Sequence, residues 1–429
     1  MKFIYAERVR SLTVDLSVED SQIFNSIGFL IENGDYFWSS PNVILAGKGV
    51  AKRIQLGALE SNDPVGELLR EFTGLRNESN FPLIGSAVCG FIAFPFRRDE
   101  HAELIIPEFL FGKLATGFSW VTYTGERDLP DEDILGCALR QPDAVRPDPR
   151  QYEIVKQSSL ISAEDWRDQK VTQVKERILA GQAKKVVLAR ELLLEAAEEI
   201  PVSFILENLF NRNQNSYVFG IDGFIGASPE LLISRFDETI KSNPLAGTAK
   251  RYIDANEDKE SQNKLLHSTK DAYEHKVTIE WLLEELLPFC SFVDADPEPK
   301  IVTLPHVHHL GTEVMGQLST PPANVLELVR ALHPTPAVAG DPQSEAISII
   351  NEMEEIDRKH YAGPVGWVGT GGNGEFAVGI RSAEIHGSHA SLFAGVGLVS
   401  DSDPQSELEE TDAKFKTMLS IFPPLEQTD

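Results

Sequence analysis

The stretch from residue 363 to residue 400 limits the possible folds of this chain more than any other. Its sequence, GPVGWVGTGGNGEFAVGIRSAEIHGSHASLFAGVGLVS, consists of short apolar runs separated by turn residues, which is typical of antiparallel strands. The pair Asn373-Gly374 is a strong signal for a tight hairpin turn. SDPQ then opens a helix that we expect to run to about Leu419. We therefore predict a meander of long antiparallel strands followed by a helix.

Strand and helix signals are mixed along the rest of the chain. Residues 1–145 carry short apolar runs between turn residues, and SYVFGI, GFIGA and LLISRF continue this pattern further on, so both regions predict strands. One helix is predicted to stop at Gly181, and a long one to run from about Glu257 to Leu287, where Pro288 ends it. This mixture indicates an α+β protein with large antiparallel sheets.

A polar segment divides the chain into two parts. Residues 141–151, QPDAVRPDPRQ, contain three prolines, as expected of a connector. We place a β-rich N-terminal region at residues 1–150, packed into the same fold. The second region, residues 151–429, holds all of the chemical signals.

Charge and cysteine content argue against several classes of protein. The 429 residues carry a net charge of −27, so nucleic acid and anionic membranes are poor partners, because both need clustered cations. The three cysteines lie far apart and form no Cys-x-x-Cys pair, which argues against disulfides and thiolate metal sites. The sequence shows neither a signal core nor an apolar run long enough to span a membrane, so we expect a cytoplasmic protein.

Two motif-like patterns are better explained by structure than by function. Gly369, Gly371 and Gly374 have the dinucleotide-binding spacing G-x-G-x-x-G, but a strand follows them where that motif requires a helix. GASPE around Ser228 lacks the closing glycine of a nucleophile elbow. Neither a dinucleotide site nor a serine hydrolase is therefore predicted.

Two other clusters contain possible metal ligands. His306, His308 and His309 are close in sequence, but alternation along a strand turns His309 away from His306, so a zinc site is the weaker interpretation. Glu407 and Glu410 lie three residues apart, which puts both carboxylates on one face of the predicted helix, where a hard cation can bind. Taken alone, such a pair is more often a solvated acidic face.

Nine segments together resemble one family, the chorismate-utilising enzymes, which include isochorismate, salicylate, anthranilate and aminodeoxychorismate synthases. The segments are KVVLAR (185–190), ASPELL (227–232), NPLAGTAKR (243–251), STKDAYEH (268–275), HPTPAVAG (333–340), GPVGW (363–367), IRSAEI (380–385), FAGVGLV (393–399) and SELEETDAKFKTML (406–419). One match would be weak, whereas this many in the family's order are highly specific. The resemblance implies large antiparallel β-sheets packed face to face with helices on the outside, and a chorismate-binding catalytic domain at residues 151–429.

The resemblance also implies an acid–base pair. Lys185 aligns with the lysine that activates water for attack on C2 of chorismate, and Glu230 with the acid that protonates the departing C4 hydroxyl. Hydroxide leaves poorly unless it is protonated, and water attacks poorly unless it gives up a proton. Near neutral pH, Lys185 must therefore be neutral for part of the time and Glu230 protonated for part of it.

A magnesium site and a substrate pocket are implied in the same way. Glu274 and Glu410 match the Mg²⁺ carboxylates, and Glu407 matches a nearby ligand that acts directly or through water. The ion would neutralise the ring carboxylate of chorismate and fix the substrate. The remaining positions that match the family's substrate pocket are Gly247, Thr248, His309, Tyr361, Arg381, Gly395, Gly397 and Lys414.

Lys185 also bears on which member of the family the chain resembles. Amine-forming members generally carry glutamine there and take ammonia from a glutaminase, so lysine favours water and no glutaminase subunit is expected. Ala246 stands where aminodeoxychorismate enzymes commonly have a nucleophilic lysine. The resemblance therefore implies a Mg²⁺-dependent isochorismate synthase, an isomerase. HPTPA favours isochorismate formation, and the extended N-terminal half favours the menaquinone pathway.

Several alternatives stay open. Salicylate synthases share the lysine and the metal site, and they go on to eliminate pyruvate; a siderophore pathway is a further possibility. Two further hypotheses assume a protein that is not an enzyme: a metabolite-binding relative without activity, and an acidic structural protein. The first would fit if Lys185, Glu230, Glu274 or Glu410 were missing, and all four are present.

Overall fold

The computed structural model describes residues 10–15, 30–31, 34–60, 66, 76–77, 84–127, 129–140 and 152–425. The connector expected at residues 141–151 lies outside these ranges, so it stays a prediction, as does the domain boundary placed there. Across the described ranges, no helix is both long and apolar enough to cross a membrane.

Among the described residues, nine strands precede the expected connector. They are β1 (Arg10–Asp15), β2 (Tyr36–Ser39), β3 (Val43–Lys48), β4 (Lys52–Leu56), β5 (Arg76–Asn77), β6 (Cys89–Ala93), β7 (Ala102–Ile106), β8 (Phe109–Leu114) and β9 (Ser119–Gly125). Sixteen more strands follow it. They are β10 (Ile154–Ser158), β11 (Lys185–Ala196), β12 (Tyr217–Ile221), β13 (Phe224–Ser228), β14 (Leu231–Phe236), β15 (Thr239–Asn243), β16 (Leu245–Lys250), β17 (Cys290–Ala295), β18 (Lys300–Thr303), β19 (Val307–Gly311), β20 (Val314–Leu318), β21 (Gly340–Asp341), β22 (Pro364–Gly369), β23 (Gly374–Val378), β24 (Ser382–His386) and β25 (His389–Leu398).

The helices whose bounds fall in the described ranges lie mostly in the C-terminal part of the chain. They are α1 (Asp131–Ala138), α2 (Ala163–Asp165), α3 (Thr172–Leu179), α4 (Val202–Arg212), α5 (Ala255–His267), α6 (Thr269–Leu286), α7 (Val325–Leu332), α8 (Gln343–Met353) and α9 (Pro404–Leu419). A π-helical stretch, Trp166–Val171, joins α2 to α3, and a 3-10 turn, Leu287–Phe289, follows α6.

Three sheets contain the described strands. The largest has 13 strands in the order β10-β11-β25-β24-β13-β12-β2-β3-β8-β9-β1-β5, with β21 paired to β11. The second has nine, in the order β17-β20-β15-β14-β23-β22-β6-β7-β4, and the third is β16-β19-β18. Strands from both parts of the chain share the large sheets, since β2 pairs with β12 and β6 with β22.

The two large sheets pack face to face. Trp38 of the largest sheet lies in the same buried cluster as Trp367 of the second, and each buried side chain of this kind stabilises the fold by roughly 1.5–3 kcal/mol. Helices cover the outer faces: Phe415 of α9 packs on the largest sheet and Leu328 of α7 on the second. The structure therefore confirms the predicted α+β class with antiparallel sheets and outer helices.

The prediction of one continuous meander over residues 363–400 is wrong. The hairpin of β22 and β23 belongs to the second sheet, whereas the hairpin of β24 and β25 belongs to the largest. The chain changes sheets at residues 379–381, where Arg381 has a φ of 52°. All four strands are buried on nearly every residue, so the sequence pattern gives no sign of the change.

The predicted long helix over residues 257–287 is also wrong, because it is two helices. α5 ends at His267 and α6 begins at Thr269. Ser268, between them, has an extended conformation with ψ of 114°, and its side chain accepts a hydrogen bond from the backbone N–H of Asp271. This is the geometry of a helix N-cap, which starts a new helix.

Candidate active site

The thirteen residues predicted for the site line one cavity of about 220 Å³. They are Lys185, Glu230, Gly247, Thr248, Glu274, His309, Tyr361, Arg381, Gly395, Gly397, Glu407, Glu410 and Lys414. β11, β16, β25, α6 and α9 supply most of the walls, where the three sheets meet. The fold therefore brings every one of these residues to one place, while the role of each stays a prediction.

Lys185 begins β11 and lines the cavity, although a lysine at a strand start is usually solvated. Only 8% of its surface is exposed, and its ammonium group forms an ion pair with Glu274 of α6. Gly397 lies on the neighbouring strand β25, opposite Val187, and a Cβ atom at that position would stand 2.7 Å from Lys185 Cε. Glycine at this position therefore gives the lysine side chain its space.

Glu354 and Arg358 form a buried ion pair along the free edge of the strand that carries Lys185. No described strand pairs with the middle of β11 on that side. Instead, Ala189 N donates to Glu354 Oε1 at 2.7 Å, and Arg358 Nη2 donates to Val187 O at 2.8 Å. Arg358 Nη1 also donates to Val338 O at 2.9 Å. The two side chains thus satisfy backbone groups that a neighbouring strand would otherwise satisfy.

Glu230 lies between β13 and β14, where the chain passes from the largest sheet to the second. It is 3% exposed, and burial raises its pKa from 4.5 to about 7. A hydrogen bond from the backbone of Leu245 limits this rise in pKa. The positive charges of Arg381, Lys185 and Lys414 limit it further. Near neutral pH, this carboxyl group is therefore protonated in a large fraction of molecules and is able to donate a proton.

Arg381 lies on a second crossover, between β23 and β24, which runs in the opposite direction. Backbone hydrogen bonds of 3.1 Å join the two crossovers, from Val378 N to Glu230 O and from Ala227 N to Arg381 O. The left-handed conformation of Arg381 costs about 1 kcal/mol, so the surrounding structure holds it in place. The buried acid and this buried cation are positioned by the same pair of segments.

His309 orients the guanidinium group of Arg381. Arg381 Nη2 lies 3.0 Å from His309 Nε2, and because arginine can only donate, Nε2 accepts and Nδ1 carries the proton. Nδ1 donates to Gly247 O at 3.1 Å and lies 3.1 Å from Thr248 Oγ1. Burial, followed by the charges of Arg381 and Lys414, keeps the pKa of His309 well below 6.5. His309 is therefore a neutral hydrogen-bond acceptor for Arg381.

α9 supplies Glu407, Glu410 and Lys414 to one wall of the cavity, as their helical spacing predicts. Lys414 Nζ pairs with Glu410 Oε1 at 2.7 Å and donates to Gly395 O at 2.8 Å. Next to it, a Cβ atom at Gly395 would lie 2.9 Å from the hydroxyl oxygen of Tyr361. The helix is thus joined to β25 at the floor of the site.

Arg190 joins the same helix to β11. Its Nη1 donates to Thr411 Oγ1 at 2.7 Å and to Asp412 Oδ1 at 2.8 Å. Its guanidinium carbon lies 5.3 Å from the ring centre of Trp166 and 5.5 Å from that of Phe415. These contacts lie behind the cavity wall and hold α9 against the strand of Lys185.

Glu274, Glu407 and Glu410 have the donor chemistry that Mg²⁺ requires, since it prefers carboxylate oxygens. They approach the cavity from α6 and α9. Glu274 is paired with Lys185 and Glu410 with Lys414. Within the described ranges, no three Asp, Glu, His or Cys side chains are clustered closely enough to hold a metal as they stand. The residues fit the ion by type, and binding it requires these lysine–glutamate pairs to rearrange.

Two polar cavity residues, Asp271 and Arg358, had no predicted role. Asp271 lies three residues before Glu274 on α6, and that spacing in KDAYEH was the signal that could have found it. It packs against Gly247, which has a φ of 75°; a Cβ atom there would be 3.0 Å from Asp271 Cβ. Arg358 gave no comparable signal, because its partners include backbone oxygens far away in sequence.

The other motif-like patterns have structural roles. Ser228 Oγ is buried and accepts a hydrogen bond from Glu230 N at 3.2 Å. His308 Nε2 contacts Asp258 at 2.8 Å, and its Nδ1 contacts Thr303 at 3.0 Å. The glycines near Asn373 form the hairpin turn between β22 and β23. The structure therefore gives no support to a serine nucleophile, a zinc site or a dinucleotide site at these positions.

Comparison with known proteins agrees with this geometry. A family model described as chorismate binding enzyme matches residues 6–423. Isochorismate synthase MenF of Bacillus subtilis is 40% identical over 320 residues, which cover 72% of this chain and 66% of that protein. Isochorismate synthase DhbC of the same organism is 33% identical over 404 residues, covering 90% and 93%.

A solved structure has the same fold. It is that of MenF, the menaquinone-specific isochorismate synthase from Escherichia coli, with a TM-score of 0.80 over 97% of this chain and 95% of that chain. Sequence identity is 23%, so this likeness concerns the fold alone. The family match over nearly the whole length, the relatives above 30% identity and the convergent cavity lead to one conclusion. The chain belongs to the family of chorismate-binding enzymes.

Proposed function

We propose that the protein is an isochorismate synthase, an isomerase that converts chorismate to isochorismate with water as the nucleophile. The observation that carries the proposal is that the buried carboxyl group of Glu230 lines the same cavity as Lys185, and burial raises the pKa of this carboxyl to about 7. An acid and a base that both face one substrate are what this reaction requires. The relatives MenF and DhbC, both isochorismate synthases, support the same activity.

In the proposed reaction, Lys185 in its neutral form takes a proton from water as the oxygen attacks C2 of chorismate. Both ring double bonds shift by one position, the C4–O bond breaks, and Glu230 gives its proton to the departing hydroxyl, which leaves as water. One water enters and one leaves, so the product is an isomer of the substrate. The protons on Lys185 and Glu230 return to their starting positions through solvent.

Three cations would hold the dianionic substrate. Arg381, held by His309, offers a planar fork to a carboxylate, and Lys414 lines the same cavity. A Mg²⁺ ion held by Glu274 and Glu410, with Glu407 as a further ligand, would supply positive charge for the ring carboxylate of chorismate. Lys185 and Lys414 would then have to leave their glutamate partners, which frees Lys185 to act on water.

We further propose that the product serves menaquinone synthesis and that no glutaminase subunit takes part. Identity to Bacillus subtilis MenF, at 40%, exceeds identity to DhbC, at 33%, which favours the menaquinone branch over a siderophore branch. The decisive assay is genetic. The chain should restore growth that depends on menaquinone to a bacterium lacking its own menaquinone-specific isochorismate synthase, and the Lys185→Ala variant should not.

The direct test is to incubate the protein with chorismate and Mg²⁺, without ammonia, and to separate the products. Isochorismate supports the proposal. Salicylate with pyruvate would identify a salicylate synthase instead, and a requirement for ammonia would indicate amination. Binding of chorismate without turnover would identify a metabolite-binding relative that lacks activity.

Neighbouring lysines provide a matched pair of variants for the role of Lys185. Lys185→Ala should lower kcat by about 10²–10⁴-fold, because it removes the general base. Lys184→Ala removes an exposed lysine paired with Asp341 at 3.2 Å, and it should retain nearly full activity. Equal activity of the two variants would contradict the assignment of Lys185.

A further inference from the structure

A second cavity, of about 380 Å³, adjoins the first. The two share Thr248 and Glu410. Thr248 belongs to β16 and Glu410 to α9, and residues of this strand and this helix line both cavities. They are thus successive parts of one cleft between β16 and α9, and we call the second cavity the outer cleft.

Two exposed lysines stand on opposite walls of the outer cleft. Lys250 lies at the end of β16 and Lys416 in the last turns of α9. Lys250 Nζ lies 5.3 Å from the ring centre of Tyr252. Within the described ranges, neither lysine forms an ion pair with a carboxylate. Lys416 itself lines the cleft, and after burial its charge is the next cause that lowers the pKa of the nearby His306.

The acidic residues of the outer cleft are largely neutralised. Asp412 accepts a hydrogen bond from Arg190 at 2.8 Å, and Glu410 is paired with Lys414 at 2.7 Å. Glu409 is different, since its partner is the neutral amide of Gln405 at 2.9 Å. Among the described residues that line the cleft, Lys250 and Lys416 have no carboxylate partner, whereas only Glu409 has no cationic partner. The outer cleft therefore carries a net positive charge.

We propose that Lys250 and Lys416 form a cationic gate through which a small dicarboxylate reaches the catalytic cavity. The proposal rests on the proposed function, because that function supplies a dianionic substrate. The chain has a net charge of −27, which repels a dianion at long range. Positive charge concentrated at the mouth of a cleft reverses the local potential and raises the rate of association.

The test compares the double variant Lys250→Gln/Lys416→Gln with the unmodified protein, using chorismate at low and high ionic strength. At low salt, kcat/KM should fall by about threefold to tenfold while kcat stays the same. At about 1 M salt, where the screening length is only about 3 Å, the difference should disappear. Glu409→Gln should have the opposite effect and raise kcat/KM at low salt.

The matched control removes two positive charges elsewhere. Lys264 and Lys276 lie on α5 and α6 and pair with Glu260 at 2.7 Å and Glu280 at 3.5 Å. Lys264→Gln/Lys276→Gln changes the net charge by the same amount and should leave kcat/KM nearly unchanged. A loss as large as that of the gate variant would mean that only net charge matters, which overturns the proposal. The proposal would also be overturned if the gate variant lost the same factor in kcat/KM at both salt concentrations, because such a loss would indicate a structural role for the two lysines.

Failure of the proposed function is recognised separately, since the unmodified protein would then not convert chorismate. In that case, calorimetric titration with chorismate tests whether Lys250 and Lys416 assist binding. A weaker affinity of the gate variant at low salt, but not at high salt, supports the gate. Equal affinities, or no binding by the unmodified protein, overturn it.

Discussion

Glu230 and Arg381 lie on adjacent chain segments that cross between the two large sheets in opposite directions and hydrogen-bond to each other. Each segment leaves a sheet at the point where its strand would otherwise continue. The side chains of Glu230 and Arg381 line the same cavity, and both residues are buried. The same pair of crossings therefore buries Glu230, which raises its pKa, and positions the cation of Arg381 near it.

The first prediction concerns the pH dependence of activity. Glu230 must be protonated to act as an acid, and its pKa is about 7. We expect the slope of log kcat/KM against pH to decrease by one unit as pH rises through about 7, because kcat/KM reports the ionisation of the free enzyme. The need for neutral Lys185 adds its own rise with pH and does not remove this inflection. A profile measured from pH 5.5 to pH 9 checks this, and a constant slope between pH 6 and pH 8 would contradict it.

The second prediction concerns stability. Burial raises the pKa of Glu230 above its ordinary value, so folding favours the protonated form, and this contribution is lost as pH rises through about 7. The shift from 4.5 to about 7 corresponds to a free energy on the order of 3 kcal/mol. Glu230→Gln should therefore be inactive but more stable than the unmodified protein at pH 8.5, with a smaller difference at pH 5.5. Urea unfolding at both pH values measures this. An equal difference in unfolding free energy between the two proteins at pH 5.5 and pH 8.5 would argue against it.

The third prediction concerns the metal. Mg²⁺ should raise the melting temperature, because an ion that binds only the folded protein stabilises it, and it should restore activity after EDTA treatment. Glu274→Gln and Glu410→Gln should abolish both effects. Glu409→Gln, which changes an exposed carboxylate on the same helix as Glu410, should keep them. Turnover that survives complete removal of the metal would refute the ligand roles.

The fourth prediction concerns the ion pair of Glu354 and Arg358. Arg358→Ala leaves a buried carboxylate without its partner and two backbone oxygens without a donor, so it should cost about 3–5 kcal/mol of unfolding free energy. Arg177→Ala is the control, since Arg177 pairs with the exposed Glu352 at 2.6 Å and should cost less than about 1 kcal/mol. Urea unfolding compares them, and similar losses would mean that the buried pair has no special role.

The sequence located the cavity well because its residues fall in short local motifs. Glu230 in ASPELL and Arg381 in IRSAEI were predicted as site residues, and the structure places both in the cavity. Their crossings between sheets were not predicted, because strands buried on both faces show no alternation that marks a change of sheet. The roles of Glu354 and Arg358 were also missed, since they depend on backbone groups brought close only by folding.

The break at Ser268 has a consequence for how this chain can vary. Because the serine starts a new helix, the position of Glu274 is set by the six residues that follow this cap and not by the length of α5. A change in the length of α5 would therefore leave the number of residues between the Ser268 cap and Glu274 unchanged. The face of α6 on which Glu274 lies depends on this cap, whereas α5 is attached independently to β16 and β19 through Ser261 and Asp258.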